Sequence, residues 1–267
     1  YLCKFTQIED TKISVFKNSL VFKNYNMYMS SADTTFEQYF NDMGHIITSD
    51  TFVSLMLQLL FALGILQKTI KMKHHDLHKK NVLIKKLNTS FNYNSQTFRK
   101  NCKIQISAFD SKMTLPPTSA IVQMCDFAEM SYTLRGKRYA RSDIFNCENC
   151  DGHWDYKYNG TYDLQMFFNC AFPSYLMTFF MRNKKCHRIW FSIHKFVCGC
   201  NCTMKSKTCH LMSEQKERPT KQSLHKKHMN AFDVIETIFG DSIYSIICRN
   251  FDQDDFQRND FNNKIVW

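Results

Sequence analysis

Hydrophobic positions first gather along this chain in short runs and then in one long block. Ile13-Ser14-Val15-Phe16, Leu20-Val21-Phe22 and Tyr25 to Met29 are β-prone stretches separated by Lys-Asn turn signals. Ser30 to Thr34 reads as a connector, and Thr35 to Phe40 as a short helix. Ser49 or Asp50 is then placed to cap a helix over about 51–70, because either side chain can accept from an exposed first-turn amide. That helix is apolar on nearly every face from Phe52 to Leu66, and such a helix belongs in a protein's centre. Ser54 and Gln58 interrupt the run, which falls short of a membrane span, so no membrane partner is expected.

Further on, Val82-Leu83-Ile84 is a strand signal, the Asn-rich segment 85–101 a long connection, and Lys103 to Phe109 a further strand. Pro116-Pro117 breaks the chain before Ala120 to Phe127, a buried strand that ends in an acid. Residues 128–160 read as irregular, punctuated by Gly136, Gly152 and Gly160. Helical patterning returns over 162–181, 186–197 and Asn230 to Phe239. The mixture is α+β.

Composition narrows this picture only a little. A chain of 267 residues that is 44% hydrophobic and 15% aromatic is globular rather than disordered. The net charge of +11 is uneven: bases crowd 67–103 and 182–227, and acids dominate 228–267. A basic face can meet nucleic acid, acidic protein or phosphate, or simply be solvated. The stretch Lys205 to Lys227 has few aromatic residues, so stacking on single-stranded nucleic acid is poorly supported. Twelve cysteines without a secretory h-region predict reduced thiols and an intracellular location.

The chemistry concentrates in Lys73-His74-His75-Asp76-Leu77-His78-Lys79-Lys80-Asn81-Val82-Leu83-Ile84. An Asp, four residues and an Asn before an apolar strand let one loop present a proton acceptor and a metal ligand side by side. Two later features follow in order: Asp126-Phe127-Ala128 at a strand end, and Tyr162-Asp163-Leu164 at the start of a helix. This sequence of elements resembles the C-terminal lobe of eukaryotic-type protein kinases, over roughly residues 20–180. The closer likeness is to haspin-like and divergent viral serine/threonine kinases, which share the D-L-H-x-x-N-V-L wording.

The resemblance implies a kinase-like fold with a mainly helical C-lobe and only a remnant of the β-rich N-lobe. Residues 1–34 would hold the remnant strands and hinge. Residues 35–267 would form the C-lobe, with catalytic loop 74–81, an inserted hairpin region 85–119 and an activation segment 126–161. Asp76 would orient and deprotonate a substrate hydroxyl, with His78 near the transferred phosphate. Asn81 and Asp126 would hold Mg²⁺, and Leu83 with Met29, Ser30 and Ser31 would contact ATP at the adenine floor and hinge. His74 would pack the loop and Asp163 would brace it through backbone amides. Ala128 stands where the family has glycine. His75 stands where it has an arginine that pairs with an activation-loop phosphate, so switching by phosphorylation at Ser131, Tyr132 or Thr133 is not expected. Residues 1–28 contain no glycine and so no Gly-rich phosphate loop; an upstream segment or a partner is expected to supply that lobe, and turnover by these residues alone is doubtful. The substrate implied is a protein, with chromatin- or nucleic-acid-associated proteins favoured by the basic surface. A pseudokinase scaffold and a small-molecule kinase of the aminoglycoside or choline type stay open beside it.

A second ligand-rich region is independent of this resemblance. Cys147-x-x-Cys150 with His153, and His194-x3-Cys198-x-Cys200-x-Cys202 with Cys209-His210, have the ligand types of a structural Zn²⁺ site. Cys147, Cys150, Cys198 and Cys200 are the candidate zinc ligands, and buried reduced thiols are the alternative.

Overall fold

The computed structural model describes residues 32–87, 114–140 (Leu134 as backbone only), 158–206 and 229–240, together with the backbone of some short strands and one helix end. Two short N-terminal strands, β1 (Ser14–Phe16) and β2 (Ser19–Val21), pair antiparallel. β3 (Thr34–Thr35) runs directly into α1 (Phe36–Met43), and α2 (Ser49–Ile70) follows. β4 (Val82–Lys86) leaves the loop after α2. Within the region 85–119, read both as a long connection and as an inserted hairpin, β5 (Phe91–Tyr93) and β6 (Gln96–Phe98) pair antiparallel. A second pair, β7 (Gln105–Ala108) and β8 (Ser111–Thr114), is joined in parallel by β12 (Lys264–Val266). β9 (Ala120–Met124) then returns antiparallel to β4, so that β3, β4 and β9 form one small sheet.

Beyond β9 the described residues are mostly helical, apart from β12 and one hairpin. β10 (Tyr132–Leu134) and β11 (Lys137–Tyr139) form a tight hairpin inside the segment expected to be irregular. Arg135 and Gly136 both have positive φ, 50° and 77°, the backbone that a two-residue hairpin turn demands. The helices that follow are α3 (Gly160–Phe167), α4 (Met177–Arg182), α5 (Lys184–Cys198) and α6 (Ala231–Val234). α6 continues into a wider-wound π-helical stretch, Ile235–Tyr244. The architecture is α+β.

Two expected boundaries are corrected. The cap of α2 is Thr48, whose hydroxyl accepts from the Thr51 amide at 3.1 Å, while Ser49 already lies inside the helix and bonds Asn183. The continuous helix expected over 162–181 is broken after Phe167. Pro173, extended at φ −64° and ψ 138°, cannot donate an amide to a helix and forces its neighbour out of the helical region.

α2 occupies the centre, with Phe52, Leu55, Met56, Leu57 and Leu60 all fully buried. Its length and apolar composition would suffice to cross a bilayer, yet 67% of its most apolar window is buried within the protein. The polar interruptions have structural work to do. Gln58 accepts from the Val122 amide at 2.9 Å and donates to the Ala120 carbonyl at 3.3 Å, joining α2 to β9. Gln67 donates to the Gly160 carbonyl and accepts from the Ala231 amide, both at 2.9 Å, so one side chain ties the starts of α3 and α6 to α2. A buried amide with both ends satisfied costs little and fixes register, whereas an unsatisfied one would cost about 1–3 kcal/mol. Around α2 the remaining core is aromatic. Phe40, Phe52 and Phe179 bring three helices into ring contact at 5.1–5.9 Å, and Trp190 closes the cluster, donating from Nε1 to the Cys170 carbonyl.

At Gly64, α2 leaves room for a side chain of α6. A Cβ there would sit 2.9 Å from two ring carbons of Phe232, which itself packs edge-on against Phe61. Gly64→Ala would gain about 1 kcal/mol in helix propensity. It would lose about 1–3 kcal/mol by overpacking a ring that is held on both sides. Overpacking is the larger effect, so the denaturant midpoint is expected to fall. A midpoint that rises would show that the Phe232 ring has room to move.

Candidate functional site

The loop after α2 is shaped by its own backbone before any side chain acts. Lys71 ends the helix in the left-handed region at φ 47°, and its amide still bonds back to the Leu66 carbonyl. Lys73 then pairs in antiparallel fashion with Ser131, the two exchanging amide–carbonyl bonds at 2.8 Å. His75 is again left-handed, at φ 69°. A β-carbon is strained there unless the surroundings hold it.

The surroundings do hold it. Asp163, fully buried in the first turn of α3, accepts from the amides of both His74 (2.8 Å, Oδ2) and His75 (3.1 Å, Oδ1). One carboxylate thus clasps two consecutive amides across a turn. Burial pushes the Asp163 carboxyl above the usual carboxylate range; His74, Lys73 and the two donated amide bonds oppose that shift. Lys73 is itself buried, with Nζ over the Tyr162 ring at 4.4 Å. The His74 ring donates from Nε2 to the Cys125 carbonyl at 2.9 Å and lies against Phe127.

A second brace lies on the opposite side of His75. Its Nε2 meets the buried Ser131 hydroxyl at 2.8 Å. Arg138, on β11, donates to that hydroxyl, to the Lys71 carbonyl and to Thr133 Oγ1. No sequence motif marks Arg138. Its only local signal was the Arg135-Gly136 turn that folds β11 back on β10.

The chemical end of the loop is more open. Asn81 donates from Nδ2 to both the Asp76 carbonyl (2.9 Å) and the Asp76 carboxylate (3.1 Å), which leaves its Oδ1 as the atom it can offer a cation. His78 accepts the Lys80 amide at Nδ1, so its ring proton sits on Nε2, 3.4 Å from the Asp76 carboxylate. Asp76 and His78 are half-buried. Asp126 is exposed, just beyond β9, in the left-handed region with φ 59° and ψ 59°. The Cys125 amide, one residue earlier, donates to the Asn81 carbonyl at 3.0 Å. Asn81 and Asp126 therefore leave neighbouring strand ends, one preceding β4 and the other following β9. Burial, then the Asp126 charge, pushes the Cys125 thiol up, so it is a neutral group beside them. Oxygen donors from a carboxylate and an amide carbonyl on adjacent strands suit a hard divalent cation.

The remaining expected residues fall as follows. Leu83 on β4 pairs with Gln123 of β9 and Thr35 of β3, and it points away from the core that holds Val82 and Ile84. Met29, Ser30, Ser31, Cys147 and Cys150 lie outside the described residues. In the other cluster, the structure gathers His194, Cys200 and Cys202, with ligand atoms within 4.8 Å of one another. Cys198, expected among the ligands, instead approaches the far ring nitrogen of His194 and the Phe168 carbonyl. No protein-family model matches the chain, and no curated protein matches it.

Proposed function

We propose that the chain is a divergent serine/threonine protein kinase-like domain of the haspin-like or viral type, and that its helical body is a kinase C-lobe. In this reading it transfers the γ-phosphoryl group of ATP to a protein hydroxyl. The observation that supports it best is the Asp163 clasp on the His74 and His75 amides combined with the Asn81–Asp76 bond. Together they present Asp76 on a rigid loop beside a cation-suited pair of donors. Phosphoryl transfer proceeds through a loose transition state, so positioning and charge neutralisation carry most of the catalysis.

Each residue then has a role set by its contacts. Asp76 accepts the proton of the attacking hydroxyl, held in orientation by Asn81. His78 presents Nε2–H beside Asp76, suited to a phosphoryl oxygen. Asn81 through Oδ1 and Asp126 through its carboxylate would hold Mg²⁺, which supplies charge neutralisation on the phosphates when bound. Leu83, facing away from the core, offers an apolar floor for the adenine. The net charge of +11 favours an acidic or nucleic-acid-associated protein substrate over a small cation such as choline.

Calorimetric titration with ATP, with and without Mg²⁺, tests the metal assignment. The wild-type chain is expected to bind ATP more tightly with Mg²⁺, and Asp126→Ala to lose at least about tenfold of that gain. Equal binding by the two proteins overturns the assignment. Mg²⁺-dependent binding without any turnover would assign the chain to the scaffold reading instead.

A further inference from the structure

The structure points to a tetrahedral, thiolate-rich metal site made by His194, Cys200 and Cys202, separate from the loop described above, and we infer that it takes Zn²⁺. The reasoning begins at the end of α5. Gly199 adopts the left-handed conformation at φ 58° and ψ 30°, its amide bonding back to the Lys195 carbonyl at 2.8 Å. That conformation reverses the chain, which is why glycine suits the position. The reversal carries Cys200 back over the last turn of the helix, onto the ring of His194.

The imidazole is prepared for a cation. His194 is fully buried, and its Nδ1 donates to the Phe168 carbonyl at 2.7 Å. With the proton held on Nδ1, the Nε2 lone pair faces the thiols. A backbone carbonyl on the distal nitrogen is the usual outer contact of a metal-bound histidine, because it fixes both the tautomer and the ring plane. Cys200 Sγ lies 3.1 Å from that Nε2, and Cys202 Sγ lies within 4.8 Å of Cys200 Sγ and of a His194 ring nitrogen. Bond lengths of about 2.3 Å to sulfur and about 2.0–2.1 Å to nitrogen require corner separations of roughly 3.6–3.8 Å in a tetrahedron. The 3.1 Å contact is shorter than that range and the 4.8 Å limit lies above it, and Cys202 belongs to an irregular turn rather than a helix or strand.

The same geometry excludes Cys198, the other cysteine of this run named as a candidate ligand. Cys198 is one helical turn from His194, and its Sγ sits 3.6 Å from Nδ1 and 3.8 Å from the Phe168 oxygen, on the side already occupied by the carbonyl. Two thiolates and a neutral imidazole balance the charge of a divalent cation, with two protons released on binding. Such soft donors select zinc over magnesium and leave the fourth corner for water or another ligand. The bound ion would fasten the turn after α5, which otherwise docks through Ser206, whose carbonyl accepts the Phe172 amide at 3.1 Å and the Cys170 thiol at 3.6 Å.

The test uses the full chain, with metal content measured after purification and Co²⁺ titration followed by absorbance. About one zinc per chain is expected, and Co²⁺ should give thiolate charge-transfer bands with the strong visible absorption of a tetrahedral site. Cys200→Ser and Cys202→Ser should each weaken binding more than about tenfold, while Cys198→Ser retains it. Cys202 is partly exposed, so its variant keeps the test decisive even if Cys200→Ser fails to fold. A wild-type chain without these bands overturns the proposal, showing a plain thiol–imidazole contact. So does metal that persists in a folded Cys202→Ser variant, or loss confined to Cys198→Ser.

Discussion

Alanine in place of Asp163 is expected to lower the unfolding free energy by about 3 kcal/mol, the largest stability effect foreseen for a polar residue of this protein. The Asp163 carboxylate accepts from two buried amides, and its removal orphans both. Each orphaned donor costs about 1–3 kcal/mol, so the gross loss is about 2–6 kcal/mol. Part of it is offset, because burial already disfavours the ionised carboxylate, as its upward-shifted pKa shows. The left-handed backbone at His75 limits the loss, since without the clasp the loop can relax out of that strained conformation. Asp163→Asn should fall between wild type and alanine. A single carbonyl oxygen can keep one of the two amides, while the amide nitrogen must face the other. Urea unfolding of the three proteins measures this order. An alanine variant within about 0.5 kcal/mol of wild type would remove the clasp from the account of how the loop is built.

The second large effect concerns turnover. In the proposed reaction, Asp76→Asn should reduce ATP-dependent phosphoryl transfer by about 10²–10⁴-fold and leave MgATP affinity nearly unchanged. Asparagine keeps the shape and an oxygen that can accept from Asn81 Nδ2, so the loop should remain in place. It lacks the basicity to take a proton from a hydroxyl. Phosphate release and transfer to a generic acidic protein, compared with ATP affinity by calorimetry, separate these two properties. A parallel fall in both would mark Asp76 as a ligand-positioning group, and an unchanged rate would end its role as base.

Several elements were legible because their cause is local. The apolar run from Phe52 to Leu66 specifies a buried helix whatever surrounds it, and β4 and β9 follow from short β-prone runs bounded by breakers. Asn230 with Asp233 is a complete capping box, and helix patterning begins there as expected. The misses also have local causes that were outweighed or overlooked. Tyr162 to Met181 has helical periodicity throughout, but α3 stops at Phe167 and Pro173 precedes the next helical turn, Ser174–Leu176. The β10–β11 hairpin hinges on Arg135 and Gly136, a weaker turn signal than Asn-Gly, with only three-residue strands beside it.

What the sequence by itself determined is the list of chemically competent residues and the order in which they occur: Asp76, His78, Asn81, Asp126 and Asp163, and the histidine–cysteine run from His194 to Cys202. Side-chain chemistry and chain order need no fold to be read. Only the tertiary structure decided which of them act together. Asp163 reaches His74 across 89 residues, and Arg138 reaches Lys71 across 67, contacts that no periodic pattern encodes because they depend on how α3 and β11 pack against the end of α2. The cysteine run shows the same division at short range. Residue types alone name Cys198 and Cys200 as candidates alike, but the left-handed turn at Gly199 brings Cys200 to Nε2 of His194 and Cys202 close by, while Cys198 lies on the Nδ1 side. Backbone direction, which sequence spacing does not contain, decides which of these side chains meet.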